Sequence, residues 1–196
     1  NYNRAQTQKP DISPFEFRNI LAIRMIWLPL SIRKGQMLKY LKIMEKTLVI
    51  FKPSAVERGL VGRILARFEN KGLIIEGIKM MQLTEEILRE HYAHLVDRPF
   101  FPSLLRSMTA TPVIVLCLKG NDAINVVRMM TGATNGRKAQ PGTIRGDFSV
   151  SGQENVVHAS SSPEDAEVEI ARFFRPEEII EWTPAGIGFI YEPDER

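Results

Sequence analysis

The sequence has few of the residues that several common kinds of site require. It contains one cysteine and three histidines among 196 residues, which excludes an internal disulfide and leaves no Cys/His cluster with the spacing of a structural zinc site. Cys117 lies in the apolar run 113–118, where we expect a buried and unreactive thiol. A reducing compartment suits this composition, and we expect a cytoplasmic protein.

Two familiar nucleotide-binding signatures are also absent. The sequence has no G-x-x-x-x-G-K-[ST] loop, which excludes a P-loop nucleotide enzyme, and it lacks the motif set of protein kinases. If the protein binds phosphate, other groups must hold it.

Net positive charge is confined to the N-terminal part of the chain. Residues 1–43 carry eight Lys or Arg and two acidic residues, whereas residues 44–196 carry 18 basic and 21 acidic residues. The net charges are therefore +6 and −3, within an overall +3. For the larger part we expect no stable nucleic-acid or membrane partner.

Residues 1–43 form an extension that differs from the rest in pattern. Its apolar stretch, residues 20–32, is interrupted by Arg24 and Pro29 and is too short to span a membrane. An Arg-containing, acid-poor stretch is typical of a targeting segment, but no small-residue cleavage site follows it. We favour upstream sequence or a disordered extension, with one domain over residues 44–196.

From Lys46 onward, hydrophobic periodicity and turn residues predict a regular order of elements. The predicted strands cover residues 47–51, 73–83, 113–118 and 155–158, and the predicted helices cover 58–71, 84–95, 101–108, 121–130 and 163–174. The Gly-, Pro- and Thr-rich residues 132–148 are predicted to lack regular structure, which in a compact domain is typical of a functional segment. This order favours an α+β sandwich with helices on a four-stranded antiparallel sheet.

His158 lies between two predicted rigid elements. It ends a β-branched run, and a helix start follows, with Ser162 as cap, Pro163 at the first position and Asp165 where a capping box has an acid. Such a position suits catalysis, and an imidazole with a pKa of about 6.5 is a good nucleophile. A hydrogen-bonded structural histidine is the alternative.

Other polar residues are candidates for holding a phosphorylated ligand. Lys52 ends the first strand, Arg128 lies on the helix after the third strand, and Arg145 lies between Gly142 and Gly146. Arginine provides planar two-pronged contacts to phosphate, and Thr134 adds a hydroxyl. Solvated surface charge and a tight turn are the alternatives.

Two adjacent aromatic residues provide a candidate contact for a nucleobase. Phe100 and Phe101 lie between Pro99 and Pro102, and one of the rings could stack on a base. The alternative is that both rings pack in the core.

Taken together, residues 44 to about 192 resemble the nucleoside diphosphate kinase family. The matching motifs occur in the family's order and spacing: Lys52-Pro53, Glu57-Arg58-Gly59-Leu60-Val61-Gly62, His91-Tyr92, Arg98-Pro99-Phe100-Phe101, Gly132-Ala133-Thr134-Asn135, Pro141 to Phe148, and Asn155-Val156-Val157-His158-Ala159-Ser160. The resemblance implies a ferredoxin-like α+β fold and ping-pong transfer of a γ-phosphate through phosphohistidine on His158.

The resemblance also implies a role for each candidate residue. Lys52 and Asn155 would hold the ribose, Phe100 would stack on the base, and Leu104 would line the base pocket. Arg128, Thr134 and Arg145 would hold the phosphates, with Tyr92 beside the transferred group, while Ser160 and Glu169 would orient His158. Mg²⁺ would be bound mainly through nucleotide phosphates and water, with no specific protein ligand.

The resemblance further implies a homo-oligomer, and we favour a hexamer over a tetramer. Ile190-Tyr191-Glu192 resembles the end of longer members, whose tail contacts a neighbouring subunit. Because the base contact is mostly stacking, low base specificity is expected.

Some positions depart from common family patterns, and two alternative functions stay open. The departures are Ser54-Ala55 after Lys52-Pro53, Gly136, Gly152, Ala159 and Ser161. An inactive binding or regulatory protein on the same fold is one alternative, but the complete residue set disfavours it. A protein recruited to membrane or nucleic acid by residues 1–43 is the other.

Overall fold

One antiparallel β-sheet organises the chain. The computed structural model describes residues 44–195, so the expectations for residues 1–43 lie outside the described residues. Within that range the strands follow the order β2-β3-β1-β4. Their bounds are β1 (Glu45–Phe51), β2 (Ile74–Met81), β3 (Val113–Gly120) and β4 (Val157–Ala159).

Helices cover both faces of this sheet. The α-helices of the described residues are α1 (Pro53–Glu57), α2 (Val61–Asn70), α3 (Glu85–His91), α4 (Phe101–Met108), α5 (Ala123–Thr131), α6 (Ile144–Phe148) and α7 (Pro163–Phe173). Short 3₁₀ turns occur at Ala93–Leu95, Gly136–Lys138, Pro176–Glu178, Ile187–Phe189 and Pro193–Glu195.

The alternation of side chains along β1 produces two hydrophobic clusters. Val49 and Phe51 point to a cluster with residues of α2 and α5, whereas Leu48 and Ile50 point to a second cluster with residues of α3, α4 and α7. All four side chains are fully buried. Burial on both faces explains why the central strands read as nearly continuous apolar runs.

The α+β, ferredoxin-like prediction is confirmed by this sheet and its helical layers. Cys117 is also buried as expected, in β3, and burial raises the pKa of its thiol to about 11.

Local signals also account for helix starts. The Thr84 hydroxyl accepts a hydrogen bond from the Ile87 amide at 3.3 Å, and the Ser162 hydroxyl accepts one from the Asp165 amide at 3.1 Å. The capping box predicted at Asp165 is not formed as expected, because its carboxylate accepts instead from the Ser161 hydroxyl.

Residues 132–148 are not structureless, and that prediction is wrong. Asn135 caps the 3₁₀ turn Gly136–Lys138, and the Thr143 hydroxyl accepts from the Gly146 amide at 3.1 Å, which starts α6. The helix predicted over residues 84–95 ends at His91. The fourth strand begins two residues later than predicted, at Val157.

No helix among the described residues is long and apolar enough to cross a membrane.

Candidate active site

His158 is the middle residue of β4, and strand pairing places it opposite Ile50 of the central strand β1. Its Nε2 lies 3.0 Å from Oε1 of Glu169 on α7. Since a carboxylate only accepts, Nε2 carries a hydrogen, and in the neutral ring the lone pair is therefore on Nδ1. The ring thus presents Nδ1 as its nucleophilic nitrogen.

Ser160 holds Glu169 in place on the side of the imidazole that faces away from the cavity. Its hydroxyl donates to Oε2 of Glu169 at 2.6 Å and accepts from the Leu48 amide at 3.1 Å. Burial by itself would raise the pKa of Glu169, but the hydrogen bonds from His158 and Ser160 hold that pKa below its usual range. Glu169 is therefore an anionic acceptor at neutral pH.

Two further rings enclose His158. The His91 and Tyr92 rings lie 4.6 Å and 6.1 Å from the His158 ring, both edge-on. Burial, followed by the charge of His158, lowers the pKa of His91 to about 3. Burial also raises the pKa of Tyr92 above its usual range. Both neighbours are neutral near pH 7, so Tyr92 keeps its hydroxyl hydrogen.

A strained turn leads into β4. Val156 has φ +60°, and the Val157 amide donates to the Asn155 carbonyl at 2.7 Å, which closes a γ-turn. The Val156 carbonyl accepts from the Lys52 amide at 2.9 Å. Positive φ is costly for a β-branched residue, and here it persists because the buried surroundings fix it. The turn sets the direction in which His158 enters the strand.

His158 opens onto a cavity of about 560 Å³. Nine of the predicted site residues line it: Lys52, Tyr92, Phe100, Leu104, Arg128, Thr134, Arg145, Asn155 and His158. The other two, Ser160 and Glu169, lie behind the imidazole and do not line the cavity.

Two arginines, Arg128 and Arg145, contribute positive charge to the cavity wall. Arg145 on α6 is buried, and it donates to the carbonyls of Gly132 at 2.6 Å and Val157 at 2.8 Å. Its buried Nε has no hydrogen-bond partner among residues 44–195. Burial, followed by the nearby charge of Arg128, lowers the pKa of Arg145 to about 10. Two neighbouring arginines suit an anionic ligand, because the guanidinium group is a planar cation with several hydrogen-bond donors.

Lys52 and Asn155 form a buried pair in the cavity wall. Lys52 Nζ donates to Oδ1 of Asn155 at 2.6 Å, and Asn155 Nδ2 donates to the carbonyls of Thr134 and Gly152 at 2.9 and 2.8 Å. Burial, followed by the charge of Arg145, lowers the pKa of Lys52 to about 8. A second ammonium hydrogen reaches the Gln153 carbonyl at 3.5 Å, so one of the three remains for other oxygens.

Phe100 and Leu104 contribute apolar surface to the cavity wall. The Phe100 ring is 47% exposed at the start of α4, whereas Leu104 on the same helix is 7% exposed. An exposed aromatic ring beside a cavity provides a stacking surface. Phe101, the other candidate, packs in the core and is 2% exposed.

Gln153 also lines the cavity, and the sequence motifs did not single it out. Its side-chain Nε2 donates to Oγ of Ser103 on α4 at 3.1 Å. The signal available in the sequence was its position beside Gly152, one of the positions that depart from common family patterns.

The residues present do not form a magnesium site. The cavity wall includes no Asp or Glu among the described residues, whereas Mg²⁺ prefers oxygen ligands. His91, His158 and Glu169 do converge within 4.8 Å of one another. That set is nitrogen-rich, and the Arg172 guanidinium lies 3.5 Å from Nδ1 of His91, where its charge opposes a cation.

Comparison with known proteins gives a consistent result. A family model described as nucleoside diphosphate kinase matches residues 45–179. A nucleoside diphosphate kinase of Parabacteroides distasonis is 57% identical over 152 residues, which cover 78% of this chain and 99% of that protein. Nucleoside diphosphate kinase B of Bos taurus is 45% identical over 148 residues, covering 76% and 97%.

Solved structures agree with the sequence comparison. A halophilic nucleoside diphosphate kinase from Halobacterium salinarum, in complex with CDP, superposes with a TM-score of 0.74 at 41% identity, covering 76% of this chain and 99% of that one. A nucleoside diphosphate kinase family protein from Babesia bovis superposes with a TM-score of 0.73 at 42% identity, covering 76% and 100%.

Proposed function

This chain belongs to the nucleoside diphosphate kinase family, and we propose that it moves a γ-phosphate from a nucleoside triphosphate to a nucleoside diphosphate through phosphohistidine on His158. Phosphate transfer between nucleotides follows from the family; the covalent route through His158 is our proposal. The observation that carries it is the hydrogen bond between Nε2 of His158 and Glu169, which leaves Nδ1 for the cavity side.

The proposed chemistry consists of two matched displacements. Nδ1 of His158 donates its electron pair to the γ-phosphorus, and the bond to the β-phosphate oxygen breaks, so that the diphosphate leaves with that electron pair. The phosphorylated ring is cationic as it forms, and the Glu169 carboxylate at 3.0 Å from Nε2 stabilises this charge. A second nucleoside diphosphate then takes the phosphate by the reverse displacement.

The residues that line the cavity support one orientation of the bound nucleotide. Arg128, Arg145 and Thr134 would hold the phosphates next to His158, and the neutral Tyr92 hydroxyl would donate a hydrogen bond beside the transferred group. In that orientation the sugar would meet the Lys52–Asn155 pair. The base would meet Phe100 and Leu104. The Halobacterium salinarum relative was solved in complex with CDP, which supports a nucleoside diphosphate as ligand.

Mg²⁺ would arrive with the substrate. Because the cavity wall has cations rather than carboxylates, we propose that the ion is held by phosphate oxygens and water. Its chemistry would be neutralisation of phosphate charge during transfer.

We also propose the cellular setting that the family implies. Residues 44–196 would be the catalytic domain of a cytoplasmic homo-oligomer, with a hexamer favoured over a tetramer. Stacking on Phe100 would accept any base, and ribonucleotides would be preferred over deoxyribonucleotides because Lys52 and Asn155 contact ribose hydroxyls.

A label-transfer experiment tests the covalent route. The protein is incubated with γ-labelled ATP and Mg²⁺ and then chased with GDP. We expect an acid-labile, alkali-stable phosphoprotein whose label moves to GTP. His158→Ala is expected to lose labelling with an unchanged circular dichroism spectrum, whereas His94→Ala, which alters an exposed histidine, should label normally. Continued turnover by His158→Ala would overturn the mechanism.

A further inference from the structure

Among the described residues, two polar side chains of the cavity wall are not used by the proposed contacts: Gln153, and Thr131, whose hydroxyl donates to the Arg128 carbonyl at 2.9 Å. The other polar side chains of the wall belong to two groups. Lys52 and Asn155 bind each other, and the proposed contacts to the phosphates use the rest: Tyr92, Arg128, Thr134, Arg145 and His158. Gln153 belongs to neither group.

Hydrogen bonds tie Gln153 to the base end of the cavity. Its Nε2 donates to Oγ of Ser103, and the Ser103 amide in turn donates to the Phe100 carbonyl at 3.0 Å. One hydrogen-bonded chain therefore connects the amide of Gln153 with the backbone of the stacking residue. The side chain extends from the segment before β4 to the first turn of α4.

Hydrogen bonds also hold the backbone of Gln153 in place. Its amide donates to Oγ of Ser151 at 3.2 Å, and its carbonyl accepts from the Asn155 amide at 2.9 Å and from Lys52 Nζ at 3.5 Å. Within residues 44–195 the side-chain oxygen Oε1 makes no hydrogen bond. A side-chain amide that is held in place and has an unused acceptor oxygen can form a specific hydrogen bond to the edge of a ligand.

Gly152 leaves space beside this amide. A Cβ added at Gly152 would meet nothing closer than the Asn135 side chain, at 3.8 Å. A base stacked on Phe100 would therefore have no side chain of residue 152 against its other face. Under these conditions, discrimination between bases depends on contacts to the base edge rather than on its faces.

We infer that Gln153 is a specificity-determining residue whose Oε1 accepts a hydrogen bond from an exocyclic amino group of the base. This inference rests on the proposed function and refines its substrate preference. Cytosine carries an amino group at C4, where uracil carries a carbonyl oxygen that repels Oε1. The amino-bearing base gains a hydrogen bond, and its oxo counterpart leaves the acceptor unpaired. We expect a preference for CDP over UDP of about 3- to 10-fold.

The CDP/UDP pair tests this contact because the sugar, the phosphates and the ring size are the same and the bases differ only at C4 and N3. The ratio of kcat/KM for CDP to that for UDP is measured with ATP as donor. We expect about 3 to 10 for the unchanged protein and about 1 for Gln153→Leu. Ser103→Ala, which removes the tether, should lower the ratio. Gln82→Leu alters a glutamine that is bound to the Thr109 carbonyl and does not line the cavity, and it should keep the original ratio.

Direct binding separates this inference from the covalent mechanism. Calorimetric titration of the unchanged full chain with CDP and with UDP should give the same order of affinities without turnover. Equal values for the two nucleotides, a preference for UDP, or a preference that persists in Gln153→Leu would overturn the role of Gln153. Loss of phosphohistidine labelling with an intact CDP preference would instead overturn the proposed mechanism alone.

Discussion

Glu169 fixes the orientation of the His158 imidazole through a hydrogen bond of 3.0 Å between its Oε1 and Nε2 of the ring. The same carboxylate accepts from Ser160 at 2.6 Å, so one side chain couples the orientation of the ring to the end of β4. Both hydrogen bonds use the anionic form of Glu169, whose pKa they hold below its usual range.

Removal of this carboxylate should slow phosphorylation of the enzyme. For Glu169→Ala we expect kcat to fall about 10- to 100-fold, because a hydrogen bond to a charged group is lost as positive charge develops on the ring. Rapid-quench measurement of the first turnover tests this. Glu167→Gln changes an exposed acid on the same helix and serves as the control. A Glu169→Ala rate within twofold of the parent would contradict the assignment.

Nucleotide affinity should fall at alkaline pH because of Lys52. Its pKa of about 8 means that the ammonium loses its proton as pH rises through that value, which removes charge and a donor from the cavity. We expect kcat/KM to decline between about pH 7 and about pH 9.5. In Lys52→Arg the guanidinium stays charged, so the decline should become shallower. The same slope in both proteins would show that another group titrates.

His91 should make the fold sensitive to acid. Its pKa is about 3 in the folded protein, against about 6.5 in the unfolded chain. The unfolded state therefore binds more protons as pH falls below about 6.5, and this contribution to stability is lost progressively down to about pH 3. At about pH 5 the loss should be about 2 kcal/mol relative to about pH 7.5.

Urea unfolding at these two pH values measures the effect. His91→Asn should show a smaller difference between the two pH values than the parent, even though it lowers stability at both. His94→Asn, an exposed change three residues away, should leave the difference as it is. An unchanged difference in His91→Asn would assign the acid sensitivity to other groups.

Arg67 should influence the nucleotide site from outside the cavity. It pairs with Oδ2 of Asp147 at 2.7 Å and also donates to the Gly142 carbonyl, while Oδ1 of Asp147 accepts from the Gly142 amide at 2.7 Å. These contacts tie α6, which carries Arg145, to α2. Because the pair is partly exposed, we expect Arg67→Gln to raise the KM for ATP only about 2- to 5-fold. Additive effects of Arg67→Gln and Asp147→Asn would argue against coupling between them.

Local sequence signals predicted most of the fold. The apolar runs that became β1 and β3 are buried on both faces, and Thr84 and Ser162 cap the helices that they were expected to cap. Residues 132–148 were misjudged because their helical turns are only three and five residues long. Such turns are fixed by caps and tertiary contacts rather than by hydrophobic periodicity.

The sequence motifs selected residues that line one cavity, but they did not reveal the contacts between those residues. Lys52 and Asn155 are separated by 103 positions in the sequence, and no local pattern shows that they bind each other. The positive φ of Val156 was equally hidden, since a β-branched residue between Asn155 and Val157 reads as ordinary strand. Gln153 was missed because it stands out only through its hydrogen bond to Ser103, and that contact forms only in the folded chain.

Cys117 gives this protein a practical use in spectroscopy. As the single cysteine of the sequence, buried in β3 with a thiol pKa of about 11, it is reactive thiolate in only about one molecule in ten thousand at neutral pH. A cysteine introduced at an exposed position, such as Thr183→Cys, would therefore react with a maleimide dye or spin label, while Cys117 would remain almost entirely unlabelled. The native thiol can stay in place, and a fluorescent or paramagnetic reporter can be attached at one chosen point.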